Sequence, residues 1–414
     1  GVRRREHRGI VASSSEHLLE AHPSSRPYLS GSRLCPRLFS RSSNMSGVGG
    51  FVSWEPRDFM VHELPKYLPS GEGEHCMTHI LKVGKTTEEA IASIAEGSGV
   101  TVHDIGYAGR KDKKALTTQW ISLLCAPEQV RSNDEDVCIL GTYPHRQKMK
   151  LGHNYGNLFT ILISDIDTDI DLNAEINSIR RGIPNYFGTQ RFGRPWYENR
   201  PEEGYSPPID HDGKVLQDPD NPARDNVDRA LLFLEKSINQ TNRRRPSGKQ
   251  KRDVKLALSA LQSALFNLWV GERIRDELVD QVIEGDVCRK REGGTFYSTD
   301  PKVDTERLQR GEIDVLGPMF GPKLFPAQGY ALQREESLYE NWGLDGDRRN
   351  ALGKFWRGDR RPALLTPQNL TVKEAYTADK RNLYVSFILP AGSFATTLLG
   401  ALIDPTQETF HRGS

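Results

Sequence analysis

Residues 106 to 119 read Gly-Tyr-Ala-Gly-Arg-Lys-Asp-Lys-Lys-Ala-Leu-Thr-Thr-Gln, and no other segment constrains fold and function as strongly. Glycine and charge are typical of a loop, and the segment leads into an apolar strand near Trp120. One carboxylate, Asp112, stands among four cations. Cations favour the ionised form of a carboxylate, which a nucleophile needs at neutral pH. Asp112 is therefore a candidate nucleophile, and a surface turn in which it pairs with neighbouring lysines is the structural alternative.

Strand and helix patterns flank this segment. Met77, Leu81 and Val83 share one face of a period-two strand, and Thr87 is a predicted N-cap for a helix that ends near Gly97 and Gly99. Three further runs predict strands: Trp120 to Leu124, Leu158 to Ile163 and Leu383 to Leu389. Together they predict an α+β fold in which helices pack against a mixed sheet.

The pattern changes after residue 203, where proline, glycine and aspartate predict a long loop or a boundary. Leu258, Leu261, Leu265 and Leu268 then recur at helical spacing. We predict a catalytic domain in two pieces, residues 46–205 and 365–414, with a second domain inserted at 206–364. Residues 1–45 are rich in Ser and Arg and predict a disordered or targeting extension, or translated sequence ahead of a start at Met45.

Composition excludes several classes of protein. No run of about eighteen apolar residues predicts a membrane helix. The five cysteines are scattered singly, which argues against a disulfide framework and a cysteine zinc site. The net charge is only +1, so any nucleic acid must be held by local basic patches. Four patches qualify: residues 110–114, residues 146–150, Arg180 and Arg181 with Arg191 and Arg194, and residues 243–252.

Two more segments carry possible chemistry. Residues 184–193, Pro-Asn-Tyr-Phe-Gly-Thr-Gln-Arg-Phe-Gly, combine aromatic rings with Asn, Gln and Arg. Those side chains can stack an unpaired base, read its edge and bind its phosphate, although a glycine-rich loop with two buried aromatics has the same composition. Residues 389–397 end a strand in a Pro-Gly break beside Phe394, which predicts either a stacking platform or a core phenylalanine.

Taken in order, these three segments resemble the signature motifs of the TruD family of pseudouridine synthases. Similar supporting segments lie at 56–59 with 63–65, at 71–75, at 150–153 with 156–157, and at 263–267, so the resemblance covers about residues 51 to 400. It implies a pseudouridine synthase-type mixed sheet, interrupted by an inserted α/β domain of the TRUD type, with RNA bound in the cleft between them. It implies no metal and no cofactor.

The resemblance also assigns roles to residues. Asp112 matches the catalytic aspartate, Asn185 an asparagine that contacts the target nucleotide, and Phe59 and Phe394 substrate-binding phenylalanines. Phe187 is a further candidate for stacking the target base. Two departures occur: Gly400-Ala401 replaces a common Arg-Glu pair, and Ser53 stands where several members have a lysine. The cation that partners Asp112 is therefore open, with Lys111, Lys113, Lys148 and Arg191 as candidates. Lys111 and Arg191 are also expected to bind the substrate.

The expected reaction is isomerisation of a uridine to pseudouridine, with tRNA as the first expectation for the substrate and other RNAs possible. We expect a monomer without a membrane partner, in the cytoplasm, or in the nucleus or an organelle if the extension is a targeting signal. One alternative is a catalytically silent RNA-binding protein on the same scaffold. Another is a glycosidase, which needs a second acid that Glu63, Glu72 or Glu74 could supply. A metal site at His75 and His79 is the weakest interpretation, because no third ligand is evident.

Overall fold

The computed structural model describes residues 47–53, 55–167, 169–187, 191, 230, 248–341, 344, 356–377 and 380–403. The N-terminal extension predicted at residues 1–45 and the basic patch at 243–245 lie outside this range. So does most of the loop predicted after residue 203.

An eight-stranded mixed sheet forms the larger part of the fold. The strands span Phe59–Pro65 (β1), His75–Val83 (β2), Gly106–Tyr107 (β3), Leu116–Leu123 (β4), Val137–His145 (β5), Asn154–Ile163 (β6), Gln368–Thr377 (β13) and Lys380–Pro390 (β14). They run in the order β13-β14-β6-β1-β4-β2-β5, and β3 pairs with β4 at the side. Among these described strands, β1 and β4 form the one parallel pair. The predicted mixed sheet is confirmed.

One face of this sheet forms the main hydrophobic core. Val61, Phe159 and Phe387 are paired across β1, β6 and β14 and are all buried. The rings of Phe159 and Phe387 stack with their centroids 5.4 Å apart. Burial of each such side chain contributes about 1.5–3 kcal/mol. The same core continues into the helices and strands that lie between β6 and β13 in sequence.

Six shorter strands span Ile183–Pro184 (β7), Val287–Lys290 (β8), Thr295–Tyr297 (β9), Ile313–Met319 (β10), Asp359–Pro362 (β11) and Leu364–Leu365 (β12). Four of them form a second sheet of order β11-β10-β8-β9, and β7 pairs with β12. The helices span Thr87–Ser98 (α1), Leu172–Arg180 (α2), Gly248–Arg275 (α3), Pro301–Gln309 (α4), Gly329–Asn341 (α5) and Ala395–Ile403 (α6). The domain limits stay a prediction.

The N-terminus of α1 differs from the sequence prediction. Thr86 is the N-cap and forms a capping box with Glu89, whereas Thr87 is the first helical residue and is buried. The Thr87 hydroxyl is used elsewhere, because it donates to Gln119 and accepts from the backbone of Lys111. The C-terminus agrees with the prediction, since Gly99 ends the helix in the left-handed conformation.

Helix α3 contains the predicted leucine stripe, with Leu258, Leu261 and Leu265 buried. Its segment Asp253–Arg275 is long and apolar enough to cross a membrane, but 61% of its apolar window is buried inside the protein. A core helix has those properties too. The expected absence of a membrane partner stays a prediction.

Candidate active site

A strip of polar residues crosses the core-facing side of the large sheet. Lys82 on β2 is paired with Thr117 on β4, and Thr117 with Val61 on β1, so all three side chains share one face. Two positions further along the strands, Gln119 and Glu63 continue the same face. Lys82, Thr117, Gln119 and Glu63 are all buried. Polar side chains are costly in a core unless they are bonded, so their partners define the site.

This strip holds the segment of residues 108–115, called here the Asp112 loop. The Gln119 amide donates to the carbonyl of Gly109 over 2.7 Å. The Lys82 ammonium donates to the carbonyl of Asp112 over 2.8 Å and to that of Lys85 over 2.7 Å. Because the loop is fixed through its backbone, the Asp112 side chain stays available. The Asp112 residue is exposed, and its carboxylate accepts a hydrogen bond from the Lys114 backbone over 2.9 Å.

The candidate cation partners of Asp112 are engaged elsewhere. Lys111 pairs with Glu63, and Lys113 with Glu89. Lys148 donates to the His103 carbonyl, and Arg191 to the hydroxyls of Ser259 and Ser263. The Ser53 hydroxyl donates to Asp58. Within the described residues, the cation that contacts Asp112 is Lys82, whose ammonium donates to the Asp112 carbonyl and which lies outside the sequence motifs.

Burial changes the protonation of Lys82. Its side chain is fully buried, and this desolvation lowers the pKa of the ammonium from 10.5 to about 8. The nearby Asp112 carboxylate opposes the shift, and the Lys111 cation adds to it. Lys82 is thus charged at neutral pH and loses its proton as the pH rises past about 8.

Glu63 and Lys111 form a buried ion pair within the strip. Their side chains are 0% and 5% exposed, and the second carboxylate oxygen of Glu63 accepts from the backbone of Trp120 over 3.1 Å. Burial raises the pKa of Glu63, while the Lys111 cation counters that effect. Glu63 is therefore occupied in anchoring the loop, and Glu72 and Glu74 are exposed, with Glu72 paired to Arg146. No contact in the described part of the chain joins any of these three carboxylates to Asp112.

We expect the two buried partners to be strongly coupled. Glu63→Gln leaves the Lys111 cation unpaired in the core, which should cost about 3–5 kcal/mol of unfolding free energy. The double variant Glu63→Gln with Lys111→Met should recover a large part of that loss. Urea denaturation of the four proteins measures the coupling.

The surface pair of Arg146 and Glu72 is the matched control, because both side chains are about two-thirds exposed. Arg146→Met should cost less than about 1 kcal/mol. A Glu63→Gln variant no less stable than this control would contradict the anchoring role.

The second predicted motif forms a cluster around one arginine of β11. The Arg361 guanidinium donates to the side-chain oxygen of Asn185 over 2.6 Å and to the backbone carbonyls of Asn185 and Gly392. The Asn185 amide nitrogen donates in turn to the carbonyl of Pro362. Asn185 is only 4% exposed, so its amide orientation is fixed by these partners. Gly392 has a φ of +80°, which favours glycine at this turn.

The aromatic candidates differ in exposure. Phe187 is buried, and the Cζ atom of Arg361 lies 4.1 Å from the centroid of the Phe187 ring. The Phe187 ring also forms T-shaped contacts with the rings of Phe394 and Phe266. Phe394 is 40% exposed, so one side of its ring can accept a ligand. Phe59 is 5% exposed and packs edge-on against Phe159 in the core. Asn185, Phe187, Arg191, Arg361 and Phe394 are called here the aromatic–arginine cluster.

The sheet connects this cluster to the Asp112 loop. Glu63, which holds Lys111, pairs with Asn157 on β6, and Asn157 pairs with Leu389 on β14. Adjacent strands lie about 4.8 Å apart, so this row spans roughly 10 Å. The chain then enters the turn that carries Gly392 and Phe394. The side-chain oxygen of Asn157 is buried and lacks a hydrogen-bond partner within the described chain, so a polar acceptor remains in the middle of the row.

An exposed carboxylate anchored on a polar strip is the group that an enzyme with a carboxylate nucleophile requires. The family model of TruD, tRNA pseudouridine synthase D, matches residues 39–199 and 250–401. The chain therefore belongs to the TruD family of pseudouridine synthases.

Curated relatives resemble the chain along nearly its whole length. The tRNA pseudouridine synthase D of Anaeromyxobacter sp. strain Fw109-5 is 36% identical over 370 residues, which cover 89% of this chain and 96% of the relative. That of one strain of Thermus thermophilus is 35% identical over 371 residues, covering 86% and 90%. The crystal structure of the TruD protein from Methanosarcina mazei superposes with a TM-score of 0.64 at 21% identity, over 90% of this chain and 98% of that one. This last likeness supports the α+β pseudouridine synthase fold.

Proposed function

We propose that this enzyme converts a uridine of tRNA to pseudouridine, with Asp112 as the nucleophile. The observation that carries the proposal is the setting of Asp112. Its backbone is anchored to the sheet by buried Lys82, and its carboxylate is exposed. Family membership supports the reaction, and the names of the curated relatives support tRNA as the substrate.

The reaction is an isomerisation. The bond between N1 of uracil and C1′ of ribose breaks, the base rotates, and C5 bonds to C1′ while the C5 proton is lost and N1 gains one. A carboxylate can attack C1′ or the ring, or assist formation of a glycal intermediate. A sealed pocket keeps the detached base in place. The composition of the substrate does not change, so the proposed chemistry calls for neither a metal nor a cofactor.

The other site residues take supporting roles in this proposal. The target uridine must leave its stack, and Phe394 is the aromatic best exposed to offset that cost. Asn185 and Phe187 shape the pocket wall and orient Arg361. Phe59 lies in the core with Val61, and its role in substrate binding stays a prediction. Lys111 and Arg191 bond to Glu63 and to two serines, and their contact with the substrate also stays a prediction.

The remaining features of the proposal concern partners and location. The relatives are bacterial enzymes named for tRNA, which supports an intracellular protein. We propose the cytoplasm as its compartment and a monomer as its active form. We also propose that the catalytic domain comprises residues 46–205 and 365–414 and that the TRUD-type insertion spans 206–364.

Mapping of pseudouridine tests the function directly. Total RNA is incubated with and without the full chain, and pseudouridine is located by chemical modification and reverse transcription. We expect one new site in tRNA. Failure of the folded protein to create any pseudouridine in either tRNA or other RNA would contradict the proposal.

A further inference from the structure

Two partly buried arginines in the aromatic–arginine cluster have no acidic partner among the residues that the structure describes. The Cζ atoms of Arg361 and Arg191 lie 4.1 and 5.6 Å from the centroid of the same Phe187 ring. Within the described residues, Arg361 donates to neutral oxygens of Asn185 and Gly392, and Arg191 donates to serine hydroxyls. No carboxylate forms an ion pair with either guanidinium in the part of the chain that the structure describes.

This arrangement is electrostatically unfavourable for the protein alone. Burial lowers the pKa of Arg361 to about 10, and the neighbouring Arg191 cation acts in the same direction. Burial also lowers the pKa of Arg191. A guanidinium has five N–H donors, and three from Arg361 and two from Arg191 are used within the described residues. The remaining N–H donors and the positive charge of the two guanidiniums can therefore bind an anion.

Both arginines line a cavity of about 820 Å³ between the two sheets. The cavity is also lined by Pro390, Ala391 and Ser393 of the turn after β14, and by Arg289 and Lys290 of β8. Arg289 pairs with Asp314, which lines the cavity as well. Arg361 and Arg191 therefore face the same cavity as the turn that precedes Phe394.

We propose that Arg361 and Arg191 together bind one phosphodiester of the RNA strand next to the flipped uridine. The guanidinium fork matches two phosphate oxygens, and Phe187 holds both guanidiniums at a fixed spacing. The proposal rests on the proposed function and names the phosphate subsite within it. Arg361 is its main element, because its hydrogen bonds join the Asn185 motif to the Gly392 turn.

The test is the salt dependence of binding to an unmodified tRNA transcript. Each phosphate contact contributes a slope of about 0.7 to 0.9 in the plot of log affinity against log salt. Arg361→Gln and Arg191→Gln should each weaken binding about tenfold at near-physiological salt. If both arginines bind the same phosphate, the slope of log affinity against log salt in the double variant should fall by the contribution of one phosphate contact and not of two. Arg361→Lys retains the charge and should have the wild-type slope, although the hydrogen bonds to Asn185 are altered.

Lys302→Gln on α4 is the matched control, since Lys302 is exposed and does not line the cavity. Pseudouridine formation by the wild type is measured alongside. Slopes of all arginine variants equal to that of the control, with an active wild type, would overturn the phosphate site and leave the function standing. A slope lost equally in Arg361→Lys and Arg361→Gln would also overturn it, because a packing role would then suffice. An inactive wild type would instead count against the proposed function.

Discussion

Replacing Asp112 by Asn is expected to lower the rate of pseudouridine formation at least 1000-fold, which corresponds to about 4 kcal/mol of barrier. The change removes the negative charge and most of the nucleophilicity while size and shape stay the same. The fold should not suffer, because the residue is exposed and an amide oxygen can still accept from the Lys114 backbone. The rate is measured under single-turnover conditions, with the enzyme in saturating excess over tRNA, so that binding does not limit the rate.

Binding of RNA separates the catalytic role from a role in affinity. Asp112→Asn should bind tRNA as tightly as the wild type or slightly more tightly, since one carboxylate that repels phosphate is gone. Glu96→Gln, the same change at an exposed residue of α1, should retain the wild-type rate. A large loss of affinity in Asp112→Asn would instead indicate that the residue organises the loop.

The second large effect is expected for Lys82→Met. The substitution removes the donor to the carbonyls of Asp112 and Lys85, and each carbonyl left unsatisfied costs about 1–3 kcal/mol. The Asp112 loop then loses the anchor at Asp112 itself, while those at Gly109 and Lys111 remain. Misplacement of a nucleophile by about 1 Å can cost about 100-fold in rate. Lys113→Met in the same loop is the control, because its pair with Glu89 is exposed and should contribute little.

The pH profile distinguishes the charge of Lys82 from its packing. With a pKa of about 8, the ammonium loses its proton as pH rises through 8, and its charge-assisted hydrogen bonds weaken. The wild-type rate should therefore fall several-fold above pH 8, and the rate of Lys82→Met should not show that fall.

The effect of pH on folding stability has the opposite sign. Between about pH 8 and 10.5 the unfolded chain binds more protons at this lysine, so its contribution to stability rises with pH. Unfolding thus does not explain the predicted loss of rate, and a pH profile identical in both proteins would contradict the role.

Much of the fold could be predicted from periodicity alone. The strands at 158–163 and 383–389 alternate apolar residues on one face, and the structure pairs those faces in the core. The helix containing Leu258 and Leu265 is equally clear, since four leucines recur at helical spacing. In these elements the local sequence pattern and the tertiary contacts favour the same structure.

Strand β2 shows why a hydrophobic pattern misses the site. Met77, Leu81 and Val83 do share one face, but the opposite face, with Cys76, Ile80 and Lys82, is the more buried. A lysine inside a strand is expected to face solvent. Its two carbonyl partners come from Lys85 and from Asp112, which is thirty residues away. Only the folded chain reveals that bond.

The basic patches show the same limit. The predicted patches consist of cations that are neighbours along the chain, and several of them pair with acids on the surface: Arg110 with Glu88, Lys113 with Glu89, and Arg146 with Glu72. Arg361 belongs to none of these patches, because it lies in a short strand far along the chain from the motif it contacts. The tertiary fold brings it to Asn185, 176 residues away. The spacing of residues along the chain does not indicate that Arg361 and Asn185 form a pair.

A single-turnover assay on a tRNA transcript tests the central claim, that the Asp112 carboxylate is the nucleophile, most directly. Folded wild type and folded Asp112→Asn are each mixed in excess with the transcript, and pseudouridine is followed with time. The wild type should convert one uridine completely while the variant shows no conversion above background on that timescale. Conversion by the variant within about tenfold of the wild-type rate, equivalent to only about 1.4 kcal/mol of barrier, would contradict the assignment.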